Sequence, residues 1–231
     1  MLLELKVLED GQSAESLYLN RSQLERLTVL RPGSIEIHRT RTPGRRLVEQ
    51  FLEQAYEDAF GGNLTAHYPS LMSIRDAGGR ILAAAGFRRA ADGPLFLEQY
   101  LDAPIEALVA GTAREQIAEV GNLASAGLGA SLFLVIGLAE HLDRLGCSHA
   151  AITATSQLAR NLGMLGFKAD MLALADPARL PDGGASWGRY SAADPRVIAG
   201  ALSAKASLPA RLIAATPGPG AVRRVSTERA A

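Results

Sequence analysis

The residues with the clearest chemical potential lie in one stretch, residues 117–146, IAEVGNLASAGLGASLFLVIGLAEHLDRLG. The pattern predicts a short strand, a tight glycine loop holding Gly127 and Gly129, and a long apolar helix opened by Ala130 and Ser131. A helix start of this kind presents unpaired N–H groups and the positive end of a dipole. Glycine allows a phosphate to approach that backbone closely. This arrangement suits a coenzyme A or phosphopantetheine thioester, and it equally suits a small-residue turn that packs a helix on a sheet.

Transfer of an acyl group to an amine requires a group that accepts the amine's proton, donors for the oxyanion, and a thioester held in line. Glu119 is the first candidate for the base or amine-binding group. It is a charged residue in an otherwise apolar strand, read on one face with Ile117, Gly121 and Leu123. An arginine partner across the sheet is the competing explanation. Glu98 is second; a strand reading of LFLEQYL puts it on one face with Phe96 and Tyr100. Val120 is a strand candidate for the donor's arm, and Asn122 and Thr155 for the arm or the acceptor. Tyr100, Thr153 and Trp187 are candidates for the acceptor side. Each also has a plain structural reading, in strand formation, cross-sheet pairing or anchoring of the C-terminal segment.

The elements that must position these residues follow from periodicity. Residues 2–7 read as an edge strand, and SQLERLTVL as a short helix capped by Ser22. Residues 47–60 read as a helix with Leu47, Phe51, Ala55 and Ala59 in one stripe, ended by Gly61 and Gly62. LMSIRDAGGRILAAAGFRRA reads as a hairpin about Asp76, Ala77, Gly78 and Gly79. Residues 95–101 read as a strand, HAAITATS as a small-residue strand, SQLARNLGMLGF as a helix and KADMLALA as a last strand. One more helix is expected over residues 197–214, followed by a disordered tail. The order describes an α/β domain with a mixed sheet covered by helices.

Composition narrows the function classes. The 231 residues are 48% hydrophobic, enough for a sizeable core, and 24 acidic residues balance 24 basic ones. That balance argues against a nucleic-acid surface or a polybasic membrane face. The single cysteine, Cys147, excludes an internal disulfide, and His38, His67, His141 and His149 show no metal-ligand spacing. No permanently bound cofactor or metal is expected. No secretory signal is visible, and the apolar run at 128–139 is too short to span a bilayer, so a cytoplasmic protein without stable membrane insertion is expected.

The element order, with Gly-x-Gly opening the central helix and Leu-Gly-Phe closing the next, resembles the GNAT-type N-acyltransferases. HYPSLMSIRDAGGRILAAAGFRRA, LFLEQYLDAPIE, EVGNLAS and WGRYSAADPRVIAG resemble more closely the thermostable hemolysin family. EVGNLA after the hairpin is also similar to the acyl-homoserine-lactone synthases, with Asn122 in place of the arginine of their Glu-x-x-Arg. The resemblance implies a GNAT-like, mostly antiparallel sheet in residues 45–200, an N-terminal extension over 1–44 and a C-terminal helix and tail over 201–231. It implies acyl-CoA or acyl carrier protein as donor, a small amine or amino-acid-like acceptor, and a setting in secondary metabolism or signalling. Gly127, Gly129, Ala130 and Ser131 would hold the phosphate end. Ala124 replaces the expected polar residue of the phosphate loop, and Leu162 stands where acetyltransferases often keep an acidic tyrosine, which shifts the expectation toward a longer acyl chain. The family name implies instead a membrane-active hemolysin. A thioester-binding module without catalysis is the third reading.

Overall fold

Asp76 folds the central hairpin. Its carboxylate accepts hydrogen bonds from the N–H groups of Gly78 (3.0 Å) and Arg80 (2.9 Å), while Gly79 takes a φ of +83° that a side chain would disfavour. The computed structural model describes residues 2–64, 66–202 and 211–214. In it, β1 (Leu2–Glu9), β2 (Gln12–Asn20) and β3 (Ser34–Arg39) precede this hairpin, formed by β4 (Ser70–Arg75) and β5 (Ile81–Arg89). They are followed by β6 (Ile117–Ser125), β7 (His149–Ala154), β8 (Ala169–Leu174) and β9 (Arg196–Ala201). The nine strands form one sheet in the order β2-β1-β3-β4-β5-β6-β7-β9-β8. Only β1–β3 and β6–β7 pair in parallel. The fold is mixed α/β and mostly antiparallel, as expected. The first 39 residues supply three strands of the same sheet, edge strand β2 included.

Helices cover both faces. α1 (Arg21–Leu24) is a single turn, and α3 (Ile105–Leu108) is another. α2 (Arg45–Phe60) lies on one face, where Val48 and Leu52 pack with Tyr68, Leu71, Ala84 and Ala124. α4 (Leu128–Arg144) and α5 (Ser156–Met164) lie on the other, where Phe133, Leu134 and Ile136 meet Met72, Ala83, Ala85 and Phe87. Neighbouring residues such as Leu71 and Met72 thus serve opposite cores, as the two-residue period of a strand requires. No described helix is long and apolar enough to cross a membrane.

Several sequence expectations are corrected. Residues 95–101 are not a strand: Phe96–Tyr100 is a 3-10 turn whose N–H groups find carboxylate partners described below. Residues 196–201 form β9 rather than a helix, held between β7 and β8. The rest of the expected C-terminal helix, apart from residues 202 and 211–214, and the expected disordered tail lie outside the described residues. KADMLALA is therefore an outer strand but not the last in the chain. Asn20, not Ser22, caps α1, its side chain accepting from Gln23 N at 3.4 Å. In α2 the core-facing residues are Val48 and Leu52, while Leu47 is exposed.

Candidate active site

β6 and β7 separate part-way along their length. Their parallel ladder runs from the pair Ile117–His149 to the pair Val120–Ile152 and stops there, although β6 continues to Ser125 and β7 to Ala154. The cause is local to β6. Asn122 adopts a φ of +50°, and one extra residue is accommodated between the pairs Gly86–Gly121 and Ala84–Ala124 with β5, which is a β-bulge. The bulge keeps β6 with β5 while turning it from β7. It also switches faces: Leu123 packs toward α4 and α5, not beside Glu119 as strict alternation predicts, and Ala124 packs under α2. Asn122 Nδ2 donates to Ala66 O at 3.2 Å, which ties the bulge to the segment leading into β4.

The split opens toward the start of α4. Gly127 is the residue before the helix, and a Cβ built there would meet nothing within 4 Å. Gly129 lies inside the first turn rather than in the loop, and a Cβ there would stand 2.4 Å from Thr28 Oγ1. Ala130 N and Ser131 N donate to Gly127 O, leaving the earlier N–H groups without intrahelical partners. A groove of about 790 Å³ passes this point, lined by Arg31 and Arg80 as well as residues 126, 127, 129 and 130. On the α4–α5 face, a second groove of about 250 Å³ runs past Leu123, Ser131, Val135, Leu158, Asn161 and Leu162. A smaller apolar cavity of about 40 Å³ continues it, bounded by Val120, Val135, Ala139, Ala150, Ile152 and Phe167.

Glu119 lies on the α2 face one residue before the last paired position. It is 1% exposed. Its Oε2 accepts from Phe96 N and its Oε1 from Leu97 N, each at 2.9 Å, and Arg88 Nε stands 3.6 Å from Oε2. Burial raises its pKa, opposed by the hydrogen bonds from Leu97 and Phe96 and by the Arg88 charge. The arginine across the sheet and the catalytic candidate are therefore the same site. Thr153, one residue past the last pair of β7 with β6, has a buried hydroxyl with no hydrogen-bond partner among the described residues. Its carbonyl accepts from Tyr190 Oη at 3.1 Å.

Other candidates are placed elsewhere. Thr155 caps α5, its Oγ1 accepting from Leu158 N at 3.2 Å, so the hydroxyl already has a structural partner. Glu98 is not beside Phe96 and Tyr100 on a strand face. It accepts from Leu95 N and Ile105 N and is clamped by Arg114 at 2.7 and 3.0 Å. Hydrogen bonding from Arg114 carries its pKa down to about 2. A depressed carboxyl stabilises the folded chain fully above its ordinary value of 4.5, and that contribution is lost as pH falls toward 2. Glu98→Gln is accordingly expected to melt below wild type at pH 7, with the two curves converging as acid approaches pH 2 in calorimetry at stepped pH. A gap that stays constant over that range contradicts the assignment.

Tyr100 is buried, its phenol pushed up to about 12 by burial and then by the Asp182 charge. Trp187 packs against Tyr56, Phe96 and Tyr190, and lines a cavity of about 260 Å³ with Asn63, Gln99 and Asp182. Among the described residues, no group of three or more His, Cys, Asp or Glu is placed to hold a metal ion.

The arrangement of a hairpin, a splayed strand pair and a glycine-opened helix agrees with a family match over residues 38–206, described as thermostable hemolysin. The chain belongs to the thermostable hemolysin family. The matched region of this family member includes every site residue named from the sequence. No curated protein matches the chain. Among solved structures, it is similar to TofI in a ternary complex with an inhibitor and MTA (TM-score 0.51, 15% identity, 74% of this chain and 92% of that one). It is similar also to the AHL synthase LasI (TM-score 0.50, 14% identity, 74% and 90%). At these identities the likeness is one of fold, and the fold is GNAT-like.

Tyr68 is not among the site candidates named from the sequence. Its ring lies against Gly86 and Gly121, which are register partners on β5 and β6. Two glycines in adjacent strands are a usable signal only once the strand register is known.

Proposed function

We propose that this protein is an N-acyltransferase that moves an acyl group from a phosphopantetheine thioester to a small amine or amino-acid-like acceptor. The carrying observation is the split between β6 and β7 beyond Val120 and Ile152. One end meets the open start of α4, and the other lies beside the buried Glu119. Backbone groups freed by the split can hydrogen-bond to an extended pantetheine arm as an added strand would. The helix start and the Arg31 and Arg80 side chains suit its phosphate end. The apolar groove along Leu123, Val135 and Leu162 suits an acyl chain longer than acetyl. Coenzyme A and acyl carrier protein present the same thioester chemistry.

The family's name suggests lysis. The apolar residues of α4 that lysis would expose are packed in the core, with Phe133, Leu134 and Ile136 each at most 1% exposed. That favours transfer over insertion.

Thermal shift and native mass spectrometry with acetyl-CoA, a long-chain acyl-CoA and an acylated carrier protein test the proposal. A bound donor at about a hundredfold over its Kd is expected to raise Tm by about 5–10 °C for a chain of this size. Intact folding with no shift for any of the three overturns it, and dye release from liposomes would then favour the lytic reading.

A further inference from the structure

Tyr68 occupies a place built for it. A Cβ on Gly121 would stand 2.3 Å from its Oη, and one on Gly86 would stand 2.5 Å from its Cδ2. The ring therefore lies flat across β5 and β6 with its hydroxyl over the first residue of β6 beyond the last pair with β7. The backbone that carries it is anchored: Arg45 donates to Tyr68 O at 2.7 Å and to Pro69 O at 3.0 Å. The Arg88 guanidinium covers the ring at 5.1 Å from its centroid. The hydroxyl and the Glu119 carboxylate are electrostatically coupled, and Arg88 serves both, over the ring of one and 3.6 Å from Oε2 of the other. Glu119 is 1% exposed and Tyr68 7%, and of the two it is the Tyr68 hydroxyl that lies at Gly121.

We infer, on the acyltransferase reading, that Tyr68 is a catalytic residue that takes the proton of the attacking amine on its hydroxyl oxygen while passing its own proton to Glu119. The amine lone pair forms the C–N bond at the thioester carbonyl carbon. The C–S bond then breaks with its electron pair going to sulfur, and the thiolate takes a proton from water. Glu119 returns the relayed proton to water through Tyr68 when product leaves. A phenol that donates to a carboxylate keeps its lone pairs for an N–H, which fits it to this role. Burial, and next the Glu119 charge, hold the phenol neutral, so it relays a proton and does not act as a free phenolate. The same geometry explains how Glu119 can serve the chemistry while also holding Phe96 and Leu97.

The test compares wild type, Tyr68→Phe and Gly121→Ala for donor-induced thermal shift and for single-turnover transfer to amines. Tyr68→Phe keeps the ring and is expected to bind the donor as wild type does, with kcat lowered about 100-fold and KM for the donor unchanged. Wild type is expected to show a solvent deuterium isotope effect on this step that the variant lacks. Gly121→Ala displaces the hydroxyl while leaving it in the chain, and is expected to lower kcat similarly, which covers the case of a poorly folded Tyr68→Phe. Donor binding intact with kcat within about threefold of wild type in a folded variant overturns the role of Tyr68 alone. Wild type that binds no donor and transfers to no amine overturns the acyltransferase reading, and the relay with it.

Discussion

Glu119→Ala is expected to destabilise the protein by about 3–5 kcal/mol. The carboxylate is 1% exposed and satisfies two backbone N–H groups at 2.9 Å each. Removing it leaves both donors without partners at the start of the Phe96–Tyr100 turn, each costing about 1–3 kcal/mol. Arg88 loses its counter-charge but is part-exposed and can turn to water, which limits the rest of the loss. Glu119→Gln retains one acceptor oxygen and is expected to lose about 2 kcal/mol. Because burial raises the carboxyl's pKa, its contribution is fullest below the ordinary 4.5 and declines as pH rises through the raised value. The gap between wild type and Glu119→Gln should therefore narrow as pH rises from the ordinary 4.5 through the raised value. Urea unfolding at stepped pH measures both effects. A Glu119→Ala midpoint within about 1 kcal/mol of wild type would show that water replaces the carboxylate at Phe96 and Leu97.

Glu119 shows what was legible in the sequence and what was not. A charged residue in IAEVGNLA signals a buried partner, and that signal is local, as are the Asp76 turn, the existence of α2 (though not its buried face) and the glycine before α4. The identity of its partners is not local. Phe96 and Leu97 lie more than twenty residues away, and their turn forms because Glu98 and Glu119 accept its N–H groups. LFLEQYL carries strand-forming residues, and tertiary partners override that preference. β9 is similar in kind: residues 196–201 become a strand because β7 and β8 flank them on both sides. The bulge at Asn122 turns on a single backbone angle, yet it moves Leu123 to the opposite core and opens the split. Alternation cannot register an inserted residue. Tyr68 was hidden for the same reason, since Gly86 and Gly121 become one feature only when β5 and β6 are paired.

The donor's chain length is where the apolar face makes its largest claim. The groove and the cavity beneath it share Leu123, Val135, Leu162 and Leu165, and Val120 and Ile152, the last paired residues, bound the cavity. A chain entering through the split would lie along these residues, shedding water at about 0.8 kcal/mol per methylene, or roughly fourfold in affinity for each. On the proposed function, wild type is expected to favour longer acyl donors in kcat/KM until the space is filled. Val135→Phe places a ring where the two spaces join. Excluding four methylenes costs roughly 3 kcal/mol, so long-chain donors are expected to fall by roughly 100-fold or more in kcat/KM. Acetyl-CoA, which does not reach Val135, should stay within about threefold. The added volume strains the core by about 1–3 kcal/mol, so a melting curve must accompany the kinetics. Equal losses for acetyl and long-chain donors would mean that the substitution damaged the fold or the common arm site. No dependence on chain length in wild type would mean that the space under α4 and α5 is a packing gap, and that the acyl group lies on the opposite face, beside Trp187 and Phe96.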